Sequence, residues 1–130
     1  MTIEEALFEY VTTCPPIHAL IENRFYPVVA PQADVLPLAT YQRIDASRER
    51  AASGPTGAVE AVYNVSCWAK TYPEAKALAR TLRNELDGAP GPWGDVEVGL
   101  VQADDTRDDF NGDLQLFGVL VTVRIQFREA

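Results

Sequence analysis

Three features of the sequence predict an α+β domain built on one sheet. Residues 59–69 and 114–127 place apolar side chains at every second position, as half-buried strands do. Residues 72–87 place theirs at helical spacing, between a capping signal and a glycine. That helix lies between the two strand regions, so it crosses from one hairpin to the next. The expected order is α-α-β-β-α-β-β: a single mostly antiparallel sheet of about four strands, with helices packed on one face. The 130 residues form one domain, 1–130, long enough for a proper core.

The first helix opens at Thr2-Ile3-Glu4-Glu5, where the Thr2 hydroxyl can accept from free N–H groups and Glu5 can reach back in a capping box. Ile3, Leu7, Tyr10 and Val11 then share one face. Cys14-Pro15-Pro16 stops this helix, and residues 17–23 form a short second one with Ile17, Leu20 and Ile21 turned inward. Next comes RFYPVVAPQADVLPLATYQRID, residues 24–45, pinned by Pro27, Pro31 and Pro37. Proline fixes φ and donates no backbone hydrogen bond, so a central strand starts only at about residue 37, and it runs to residue 45. Residues 46–57 carry glycine, proline and small polar residues with no large apolar anchor, the composition of a long mobile loop.

In the strand at 59–69, Ala61, Tyr63, Val65, Cys67 and Ala69 occupy one face, and Glu60, Val62, Asn64, Ser66 and Trp68 the other. The helix at 72–87 starts from a second capping box, Thr71 with Glu74, and holds Pro73 in its first turn. Its apolar stripe is Ala75, Leu78, Ala79, Leu82 and Leu86; Lys76, Arg80, Arg83 and Asp87 form its wet side. Gly88 stands where a helix-ending glycine belongs, and residues 88–94 are a turn cluster. A third strand covers 96–103, followed by the acidic loop DDTRDDFNGD with its Asn111-Gly112 turn. The last strand, 114–127, is apolar on the face of Phe117, Val119, Val121, Val123, Ile125 and Phe127, and mixed on the face of Leu116, Gly118, Leu120, Thr122, Arg124 and Gln126.

The net charge of −8 disfavours a free-standing nucleic-acid or anionic-membrane binder. No apolar run reaches the roughly 18–20 residues that span a bilayer, and MTIEEALFEY is not a signal peptide. Two cysteines, Cys14 and Cys67, and one histidine, His18, are too few for a structural zinc site, so the thiols are expected to be reduced and structural. A calcium loop centred on Gly112 would need acids where Arg107 and Gly118 stand. Asp104, Asp105, Asp108 and Asp109 read as a solvated edge rather than a catalytic carboxylate pair. Cys14 and His18 have no third residue to orient them, and Gly54-Pro55-Thr56-Gly57 lacks the lysine of a phosphate loop. No catalytic, cofactor-binding or metal residue is assigned.

The second sheet face carries more information. Trp68, Val62, Leu116 and Leu120 lie on the side away from the expected helix layer. Either the proline-pinned arm covers them, or they form a subunit interface, where aromatic and leucine anchors concentrate. Arg48 and Arg50, the one local concentration of positive charge, join them as candidate interface residues.

Four segments in order carry a resemblance over nearly the whole chain: MTIEEAL, R-F-Y-P-x-x-A-P-Q, L-P-x-x-x-Y-Q-R and C-W-A-x-T-Y-x-E-A-K-A-L-A. Together they are similar to the tail completion proteins of long-tailed phages, also called tail terminator or head–tail joining proteins. Prophages and gene transfer agents carry similar proteins. The resemblance implies a virion structural protein, not an enzyme, without cofactors, at the head-proximal end of the tail and assembled in the host cytoplasm. It implies a ring, typically of six subunits, that caps the tail tube, ends its elongation and meets the head connector, or head-stopper. Its partners would be itself, the tube protein and the connector, with DNA passing through the lumen without specific binding and no membrane involved. A small α+β ligand-binding or regulatory module is the alternative from another class, and an enzyme using His18 or Cys14 a further one; a bound small molecule or loss of turnover on chemical modification would favour them.

Overall fold

Thr2 caps the first helix as its spacing predicts: its hydroxyl accepts from the Glu5 N–H at 3.1 Å, and the Glu5 carboxylate accepts from the Thr2 N–H at 3.2 Å. In the computed structural model, which describes residues 1–31, 35–51, 54–89 and 91–128 (backbone only at 50–51 and 54–56), this helix is α1, Ile3–Thr13. It buries Ile3, Leu7 and Val11, and the Tyr10 hydroxyl donates to the Glu85 carbonyl at 2.7 Å. Prolines at the first two positions of α2, Pro15–Ile21, give up no helical hydrogen bond there.

The arm then adds a strand. β1, Phe25–Pro27, pairs parallel with the start of β2, Leu38–Ala51, matching Phe25 to Ala39 and Pro27 to Tyr41. β3, Gly54–Ala69, runs antiparallel to β2. α3, Tyr72–Leu86, crosses over, and β4, Glu97–Asn111, and β5, Leu116–Arg128, form the second hairpin. The sheet has five strands in the order β1-β2-β3-β5-β4.

Three expectations are corrected. The sheet has five strands rather than four and is mixed, because the parallel strand β1 tolerates a proline at its end on the sheet edge. The segment 46–57 continues the β2–β3 hairpin as a ribbon, with Ala46 opposite Ala61 and Arg48 opposite Val59; residues 52–53 lie outside the described residues. The acidic segment is the second half of β4, in register with β5 from Asp104 opposite Thr122 to Asn111 opposite Leu116. Its aspartates are exposed, and two are tied to α3: Asp105 accepts from Arg83 at 2.7 Å and Asp108 pairs with Lys76 at 2.9 Å.

One core lies between the helices and the inner sheet face. Tyr63, Val65, Cys67, Val121, Val123 and Ile125 meet Leu78, Leu82 and Leu86 of α3 and Leu7, Ile17 and Ile21 of α1 and α2, all essentially inaccessible to water. Burying a side chain of this size contributes about 1.5–3 kcal/mol. Helices on one face only is the arrangement the strand alternation predicts. Trp93, from the turn cluster, completes the core at one end, stacked on Tyr10 at 4.6 Å between ring centroids.

Candidate interaction surface on the open sheet face

The face without helices is built by alternation. Trp68 follows Cys67 in β3, so with Cys67 in the core the indole points outward. It sits opposite Leu38 on β2 and Gly118 on β5. Its ring lies on Gly118, where a Cβ would stand 2.7 Å from Cζ3 and 2.9 Å from Cε3. A glycine inside a strand here marks close approach of a neighbouring group.

The arm makes a wall beside this ring. Val28, Pro31 and Leu36, with Leu38, Trp68 and Leu116, line a groove of about 700 Å³. Among the described residues the only polar side chains lining it are Thr40 and Asn111. Val28 and Val29 remain exposed, and Trp68 is half-buried. Among the described residues the arm thus borders the open face and leaves Trp68 half-buried.

Away from the groove the same face is polar and knitted across the strands. The Thr122 hydroxyl donates to Asn64 Oδ1 at 3.2 Å and lies 3.2 Å from the Thr106 hydroxyl. The Glu60 carboxylate accepts from Gln126 at 3.0 Å and from Arg124 at 2.6 Å; the Gln126 bond first and the Arg124 bond second hold its pKa below the ordinary carboxylate value.

Of the residues singled out from sequence, Trp68 and Leu116 meet at the groove. Leu120 is on the same face, opposite Ser66, half-buried and outside the groove lining. Val62 shares the face but is buried, four ladder positions from Ser66 toward the far end of β3 and opposite Asp45. Arg48 is on the helix side instead. A bulge between Arg43 and Asp45 shifts the alternation of β2, so Arg48 lies opposite core-facing Val59 and lines a second cleft, of about 380 Å³, with Met1, Glu4 and Arg43. The side chain of Arg50 lies outside the described residues.

That cleft is a mixed-charge rim. The amino terminus pairs with Asp95 at 3.6 Å, and Arg43 with Glu4 at 3.9 Å. Glu4 also accepts from the buried Tyr63 hydroxyl, whose pKa is raised by burial first and by Glu4 second. Cys14 and His18 do not face each other as a nucleophile and base would. The Cys14 thiol is 3.5 Å from a Glu85 carboxylate oxygen, and His18 Nδ1 is 2.9 Å from the Thr12 carbonyl, which fixes the proton on Nδ1. Burial, then Glu85, raises the Cys14 pKa, the wrong direction for a nucleophilic thiolate. Among the described residues no three His, Cys, Asp or Glu side chains converge as metal ligands.

Sequence reasoning missed the groove wall and the arm's strand, although Val28-Val29 between two prolines marked an apolar segment with nowhere inside to go. A family model described as tail completion protein gp17 matches residues 5–128. A search of curated proteins finds no match. Among solved structures, a chain from the virion of a native gene transfer agent particle has the same fold, with a TM-score of 0.79. The two are 14% identical, and the match covers 97% of this chain and 94% of that one.

Proposed function

Because the chain belongs to the tail completion protein gp17 family, we propose that it is a tail structural protein that assembles into a ring, of six subunits, on the finished end of a tail tube. The ring ends elongation and offers its free face to the head connector. The family match over residues 5–128 is the observation that carries this reading.

The physical logic is one of mismatched faces. A tube grows by stacking identical rings through a heterologous contact, which has no intrinsic stop. A ring of different subunits that fits the tube end on one face, and refuses the next tube ring on the other, terminates it. The groove around Trp68 supplies the kind of half-buried aromatic anchor, rimmed by leucines, that interfaces use. The excess of carboxylates suits a lumen through which DNA passes without sticking. The β2–β3 ribbon, with Arg48 and Arg50, and the face of Trp68, Val62, Leu116 and Leu120 are the surfaces assigned to neighbours and partners. No catalytic step and no cofactor are assigned.

Deletion of the gene tests the role. Unjoined heads and tails, with tails of irregular length in electron micrographs, are the expected outcome. Joined particles of uniform tail length would remove the termination role and leave the small-ligand reading of the groove in first place.

A further inference from the structure

Each outer edge of this sheet has a stretch with no strand beside it among the described residues. β4 pairs with β5 on one side; on the other the Gly91 and Gly88 N–H groups donate to the Val98 and Val101 carbonyls and Asp87 accepts from the Ala103 N–H, so among the described residues the stretch with no neighbouring segment runs from Asp104 to Asn111. Among the described residues β1 pairs with β2 only at residues 39–41, and no strand lies beside the outer edge of β2 from Gln42 to Ser47. Long open edges are templates for pairing, and proteins that keep them control what can pair. Here the two edges differ in charge. Residues 104–109 of β4 hold Asp104, Asp105, Asp108 and Asp109 against one arginine, Arg107. Residues 42–48 of β2 hold Arg43 and Arg48 against one acid, Asp45, in a chain of net charge −8.

We propose that neighbouring copies in the ring join edge to edge, β4 of one copy pairing antiparallel with the outer edge of β2 of the next, so that one sheet runs around the ring. This rests on the ring reading above. The strand directions allow it. β2, β3, β5 and β4 alternate in direction, so β2 and β4 of one copy are antiparallel. Rotation about an axis along the strands keeps those directions, and the new pair is antiparallel too. Each copy contributes one edge of each kind, a head-to-tail contact that closes.

The side chains select a register. On the helix side lie Arg43, Ala46 and Arg48 of β2 and Asp105 and Asp108 of β4; on the open side lie Asp45 and Ser47, and Asp104, Arg107 and Asp109. A slip by one residue would set helix side against open side. With Asp108 opposite Arg43, Arg107 falls opposite Asp45, Asp109 opposite Gln42 and Asp104 opposite Ser47. A slip of two positions either way instead sets Asp104 or Asp109 against Asp45, two like charges face to face. Each strand has one extra residue in this stretch, Ile44 in β2 and Thr106 in β4, so the bulges compensate and the ladder stays in step. Among the described residues Arg107 is exposed and makes no ion pair, and the Asp45 carboxylate, also exposed, accepts from the Ala46 N–H at 2.9 Å and from no other group.

The test uses the full chain, with native mass measured over a concentration series, alone and with tail tubes. Arg107→Asp and Asp45→Arg should each keep the wild-type circular dichroism and melting curve and raise the assembly midpoint at least about tenfold. Mixing the two variants should restore assembly, because each then offers the edge the other lacks. Wild-type protein that assembles while both variants assemble equally well would overturn the edge pairing and leave the ring intact. Variants that lose assembly and are not rescued by mixing would overturn it too. A wild-type chain that stays monomeric in both settings would overturn the ring reading and this pairing with it.

Discussion

The indole of Trp68 rests on the backbone of Gly118, its partner across the β3–β5 ladder, with no room for a methyl group between them. This contact fixes how far the ring stands above the open face and therefore the depth of the groove. It yields a sign-changing prediction. Gly118→Ala should destabilise the wild type by about 1–3 kcal/mol, the usual cost of overpacking. In a Trp68→Ala background the same change should be neutral or stabilising by up to about 1 kcal/mol, since alanine is then better than glycine in a strand. Urea melts of the four proteins in the cycle measure both.

Trp68→Ala alone should harm assembly more than folding. The ring is half-buried and lies outside the helix–sheet core. Truncating an interface aromatic commonly costs about 2 kcal/mol or more of binding, whereas emptying a core site costs roughly 3–5 kcal/mol of stability. Comparing melting temperature with assembly midpoint separates the two; a variant that unfolds outright would assign Trp68 to the core.

The clamp between β4 and α3 should loosen in acid. Hydrogen bonds hold the Asp105 and Asp108 carboxyls below their ordinary value of 3.8, Asp105 through a backbone hydrogen bond first and Arg83 second, Asp108 through Lys76 first and Tyr72 second. A depressed carboxyl pKa adds stability above the unfolded value, and that stability is lost as pH falls below 3.8 through the lower folded values. Both groups are exposed, so the effect is small and screened by salt. Amide exchange in residues 104–109 should rise as pH drops from 5 to 3, relative to β5 and after correction for intrinsic rates. Arg83→Ala with Lys76→Ala should flatten that dependence.

The two thiols should differ in reactivity. Cys67 is fully buried, and burial raises its pKa, while Cys14 is partly accessible beside Glu85. Native protein treated with iodoacetamide at pH 8 should be alkylated slowly at Cys14 and not at Cys67, as read by mass spectrometry. Equal labelling would place Cys67 outside the core.

The helices and the inner face were legible because their signals are local. The Thr2 and Thr71 caps, the stripe from Ala75 to Leu86 and the alternation from Phe117 to Phe127 each need only neighbours in sequence. What escaped was set by distant partners. β1 has three residues, one a proline, and exists through its pairing with β2. The acidic half of β4 shows no apolar alternation because it runs along the exposed edge, held by the β5 ladder and by Arg83 and Lys76 across the helix. In the candidate surface, alternation correctly put Trp68, Leu116 and Leu120 together. Arg48, expected in a loop, lies instead in β2 on the helix side, where a bulge at Ile44 sets its register, and a bulge leaves no mark in a single sequence. Trp93 sat among turn residues yet belongs to the core, where Tyr10 stacks on it.

The most direct test of the account is to add the purified chain to polymerising tail-tube protein and measure tube lengths by electron microscopy. The account predicts shorter tubes as the chain is added, with a ring at one end of each that stops growth. Its mass there should be about 86 kDa, six times the 14.3 kDa chain. A length distribution unchanged at saturating chain, with no density at either tube end, would contradict it.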